Sequence, residues 1–96
     1  MKDLNKELIE ACREGNIEEV KLLIEAGADV NAVDDFRFSP SLMWASYYGH
    51  TGIAKLLIDA GADINAVNKD CHTALTWAVR DKDIEMIKLL IDAGAK

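Results

Sequence analysis

Apolar residues recur along this chain at steps of three and four. Leu8, Ala11 and Cys12 set one stripe, which Leu42, Ala45 and Ser46 repeat, as do Leu75, Ala78 and Val79. Such spacing puts side chains on one side of an α-helix, so three short amphipathic helices are predicted. A second stripe follows each: Ile17, Val20, Leu23 and Ile24, then Ile53, Leu56 and Leu57, then Met86, Leu89 and Leu90. Asn16, with Glu19 three residues on, marks a helix start, and Asp83 holds the matching place in the last copy. Gly27, Gly61 and Gly94 close the second stripes, where a left-handed residue ends a helix at little steric cost. The stretch from Asp29 to Ser39 is rich in turn formers and reads as an extended loop or hairpin.

The pattern is a repeat. Residues 20–32 return as 54–66 almost letter for letter and begin a third time at 87–95, at offsets of 34 and then 33. A unit that short cannot bury its own apolar face, so stacking must build the core. The expectation is one domain over residues 1–96, with units at about 3–31, 32–65 and 66–96.

The Gly-Ala-Asp-(Val/Ile)-Asn-Ala runs, the Gly49-His50 pair and Thr73-Ala74-Leu75 resemble the ankyrin-repeat pattern, over essentially the whole chain. The resemblance implies an all-α solenoid of stacked helix-turn-helix units with projecting β-hairpin loops. It also implies a working mode of binding other proteins, seldom catalysis. The segment from Asp3 to Ala11 looks like the N-terminal capping helix of such arrays, and the resemblance gives His50 a structural, hydrogen-bonding role. The departures carry expectations too. Arg37 and Cys71 stand where the family has a hairpin Gly, so a positive φ there would be strained. Ser39-Pro40-Ser41-Leu42 holds one residue more than Thr-Pro-Leu; Ser41 is taken as the insertion, displacing the start of the second unit's first helix. Lys82-Asp83 replaces Gly-His in the third unit. With no separate cap before Lys96, apolar residues of that unit are expected at the surface, which favours self-association.

The aromatic residues change the picture most. Aligned units place Glu10, Trp44 and Trp77 at one position, Arg13, Tyr47 and Arg80 at a second, and Glu14, Tyr48 and Asp81 at a third. In the family these positions face the concave groove. Phe36 and Phe38 fall on the hairpin. None of the chain's two Phe, two Trp and two Tyr residues takes a stacking position. With Arg37 and Met43 beside them, these rings are expected to form one exposed patch, and such patches mark interaction surfaces. The protein-binding candidates are thus Phe36, Arg37, Phe38, Met43, Trp44, Tyr47, Tyr48, Trp77, Arg80 and Asp81. Glu10, Arg13, Glu14, Lys69, Asp70 and His72 complete the polar rim. Local packing is the competing account: Trp44 against Trp77 edge to edge, and Phe38 under its hairpin.

Composition narrows the partner. Seventeen acidic against eleven basic residues give a net charge of −6, which argues against nucleic acid and anionic membrane surfaces. The apolar runs are too short to span a bilayer, and the first seven residues hold no signal-peptide core. Two cysteines are too few for a disulfide framework and fit a reducing cytoplasm. Cys12 takes a small core position. No Cys-x-x-Cys or His-x-x-x-His spacing suggests a metal, no cofactor motif is present, and no nucleophile, base and orienter group together. The expected function is a non-enzymatic protein-binding scaffold, with another protein as partner and a homodimer as the alternative. The even framework with aromatics on variable positions also resembles designed ankyrin binders; an engineered interface fits it, whereas the irregular loops look like natural drift or like deliberate loop remodelling.

Overall fold

The computed structural model describes residues 3–96, which form six helices in three pairs. Helices α1 (Leu4–Glu14), α3 (Ser41–Tyr47) and α5 (Ala74–Arg80) pack in one row. Helices α2 (Ile17–Glu25), α4 (Thr51–Asp59) and α6 (Ile84–Asp92) form the row behind it. The stripes read from the sequence become the core between rows: Leu8, Leu42, Ala45, Ala78, Val20, Ile53, Leu57, Met86 and Leu90 are all buried.

Local chemistry sets the helix ends. The Asp3 carboxylate accepts from the Asn5 and Lys6 N–H groups at the start of α1. Asn16 and Asp83 accept from Glu19 and Met86 N–H, as the sequence predicts. The reciprocal capping box forms instead at Thr73 and Thr76. Gly15, at φ 80°, turns α1 into α2, and a Cβ there would lie 2.7 Å from the His50 ring. That ring rests against the first pair with Nε2 3.3 Å from the Arg13 carbonyl, the structural role expected of it.

An asparagine ladder joins the units. Asn5, Asn31 and Asn65 each accept, through Oδ1, the backbone N–H of the next loop at Asp29, Asp63 and Lys96 (2.7, 2.7 and 3.0 Å). The Asn31 and Asn65 amides also donate onward to the Gly61 and Gly94 carbonyls.

Two expectations about the entry to the second unit need correction. The extra residue is not Ser41. Asp34 N–H donates to the Ser39 carbonyl and Asn68 N–H to the His72 carbonyl, so the two loops differ between those ends, at the tip. Ser41 is fully buried and starts α3 in register with Ala74 of α5, so the insertion was absorbed where solvent surrounds the chain. The positive φ consequently falls on Phe38 (56°) rather than Arg37, while Cys71 (63°) is left-handed as expected. Val79 is 55% exposed, as expected for an apolar residue of the last unit, whereas Cys12 and Ser46 at its position are buried because they face a following helix pair. The loop after α2 contributes a single isolated bridge, between Val33 and Pro40.

Candidate functional site

The α1–α3–α5 row carries the aromatic residues toward the loop tips. Trp44 is half-buried and fixed on two sides: its Nε1 donates to Asp34 at 2.8 Å, and the Arg13 guanidinium lies over its ring. Tyr47 stands between the indoles, its centroid 6.0 Å from Trp44 and 4.9 Å from Trp77. The two indoles are therefore not edge to edge with each other. Tyr48 meets Tyr47 edge-to-face at 4.9 Å, and Trp77 continues to His72 at the same separation. Edge-to-face contacts of this kind hold rings in defined orientations. Arg80 covers the face of Trp77.

The loops are tied down as well. Asp34 accepts from the Phe36, Arg37 and Ser39 N–H groups in addition to the indole. Burial works against its charge, yet the Arg37, Trp44, Ser39 and Phe36 donors outweigh it and hold its pKa below the usual aspartate value. Asn68 plays the same part in the next loop, accepting from Asp70 and His72 N–H. Arg37 bridges the two tips: its guanidinium pairs with Asp70, and its carbonyl accepts from Lys69 N–H at 2.8 Å.

Between loops and helices lies a trough of about 480 Å³, walled by Trp44, Tyr47, Tyr48, Trp77 and His72. Met43, expected at the surface, is 3% exposed and serves as its floor; like Ile9 at the matching position, it faces the next helix pair. Phe36 is 75% exposed on the other side of Trp44, with Arg37 over its ring. Phe38 is exposed rather than tucked beneath its loop. Arg80 and Asp81 sit at the end of α5, outside the trough. The anchoring role of Asp34 was not foreseen; its match with Asn68, both small polar turn residues, was the available signal.

Other chemistry is sparse. Burial pushes the Cys12 thiol up to about 11, partly offset by the Ser41 hydroxyl. Among the described residues, no three His, Cys, Asp or Glu side chains group to hold a metal, and no helix is long and apolar enough to cross a membrane.

The family pattern described as ankyrin repeats (3 copies) matches residues 8–96. The chain belongs to the ankyrin-repeat family. Ankyrin repeats are in general protein–protein interaction modules built on a non-enzymatic fold. The chain is similar to an ankyrin repeat domain-containing protein, SAT10, of Stachybotrys chartarum, with 35% identity over 95% of this chain and 5% of that protein. It is also similar to an ankyrin repeat-containing protein of Treponema pallidum, with 44% identity over 88% of this chain and 28% of the relative. This ankyrin chain thus spans a small part of the length of both.

Proposed function

We propose that this ankyrin domain recognises a partner protein through the aromatic trough and the loop tip beside it. The observation that carries the reading is where the rings lie: none of the six belongs to the buried core, and four line one trough. The indoles are half-buried walls, and Tyr47, Tyr48, Phe36 and Phe38 have the most surface left to cover. An aromatic side chain buries about 150–250 Å² in full. Covering the remaining half of four rings is worth about 8–12 kcal/mol at ~25 cal/mol per Å². That is comparable with association costs of about 4–15 kcal/mol. Rings already held by their neighbours also lose little side-chain entropy on binding, which favours hot-spot behaviour.

The test is capture of binding partners by the wild type beside a Tyr47→Ala/Tyr48→Ala variant. This pair is preferable to Trp44→Ala, which would also remove the indole donor that ties α3 to Asp34. Loss of capture by a variant with an unchanged circular dichroism spectrum is the expected result. Equal capture by both proteins removes the trough from the interface.

A further inference from the structure

The charges around the rings are unevenly satisfied. Tyr48 sits between Glu14 and Asp81, which hold its position in the flanking units. Neighbouring helices pack about 8–10 Å apart, so Glu14 and Asp81 belong to helix ends whose axes are about 16–20 Å apart, with Tyr48 at the end of the helix between them. Among the described residues the ion pairs are Lys21–Glu18 and Arg37–Asp70; no cation lies within ion-pair reach of Glu10, Glu14 or Asp81. The guanidinium groups on this face, Arg13 and Arg80, lie over the Trp44 and Trp77 rings instead. A cavity of about 430 Å³ between α1 and α3 is lined by Glu10, Glu14 and Tyr48, with Arg13 the one cation.

We infer that the partner presents a basic segment: an apolar anchor on Tyr47 and Tyr48, with arginine or lysine side chains reaching Glu14 on one side and Asp81 on the other. This rests on the trough being the interaction surface. Two carboxylates and a phenol ring around one cavity suit a guanidinium or ammonium, which gains from both charge and ring face. The chain itself shows that its rings accept such groups, since arginines cover Phe36, Trp44 and Trp77. A net charge of −6 adds long-range attraction for a basic partner and repels an acidic one. In an extended peptide the two basic positions would stand about five or six residues apart.

A random peptide library displayed on phage tests this directly. Selection on the wild-type protein, with counter-selection on Tyr47→Ala/Tyr48→Ala, isolates peptides that depend on the rings. The expected pool is enriched in Arg and Lys at that spacing around an apolar residue. A synthetic peptide from it should bind Glu14→Gln/Asp81→Asn about tenfold more weakly, a loss that 0.5 M salt reproduces. The variant should stay folded, because both carboxylates lie at helix C-terminal ends, where the helix dipole disfavours negative charge. Ring-dependent peptides that are neutral or acidic, or whose affinity ignores the double variant, overturn the basic partner and leave the trough standing. If the counter-selection removes every peptide that binds the wild type, both are overturned.

Discussion

Asp34 gathers four donors from one turn and one indole, so a single carboxylate fixes the loop and the ring that walls the trough. Asp34→Ala leaves those N–H groups without their acceptor; the expected loss is about 1–3 kcal/mol. In a domain this size that lowers the melting temperature by on the order of 10 °C, with a change in Trp44 emission. The pH dependence follows from the lowered pKa. A carboxyl held below its unfolded value adds stability that is complete above about pH 4 and is lost as pH falls through the folded value. Acid titration of unfolding should therefore be steeper below pH 4 in the wild type than in Asp34→Asn. Identical acid limbs would contradict this assignment. The sequence marked the loop as turn-forming but gave no sign that Trp44, ten residues later, would complete the Asp34 shell. That hydrogen bond exists because α3 folds back beneath the tip.

At the scale of an element, each first helix turns into its second through one left-handed residue. Gly15 and Gly49 take it without a Cβ, and Lys82 takes it at φ 55°. A left-handed L-residue costs about 1–2 kcal/mol, while glycine gives back part of this by loosening the unfolded chain. Lys82→Gly should raise stability by about 0.5–1 kcal/mol, read as a higher urea midpoint at unchanged slope. A lower midpoint would mean that the lysine side chain supplies something the backbone account omits. The sequence shows the replacement, since Lys82 stands where two aligned copies have glycine, but the expectation of a strained φ was attached to Arg37 and Cys71 instead. The strain at Phe38 was not legible in advance. It was expected at Arg37, since sequence alignment alone does not show where in a solvent-exposed loop an extra residue will be absorbed.

Across the whole molecule, stability is shared between neighbours. Asn65 accepts from Lys96 N–H and donates to the Gly94 carbonyl, so it fastens the loop beyond α6 to the one before α5. In a stacked array each unit touches only the adjacent ones, and damage at one joint stays local until neighbours fail. Asn65→Ala should lose about 1–3 kcal/mol. Hydrogen exchange should show α6 amides losing protection first while those of α1 and α2 keep theirs. Uniform loss across all six helices would refute nearest-neighbour coupling here. The ladder asparagines were visible only as part of the repeated loop motif. Their partners lie 24 to 32 residues away in sequence, beyond any local pattern.

The sequence by itself determined the repeat, the two helices of each unit, the caps at Asn16 and Asp83, the closing glycines, and the placing of every aromatic outside the core. Those follow from covalent order, because i, i+3, i+4 spacing and near-identical copies constrain each unit before it meets another. Only the tertiary structure decided which equivalent positions are buried and which rings touch. Met43 is covered where Thr76 is not, and Ser46, bonded to the Ala74 carbonyl at 2.6 Å, is covered where Val79 is not. A residue's own unit sets the direction its side chain points, but burial requires a second surface over it, and that surface comes from a neighbour folded elsewhere in the chain.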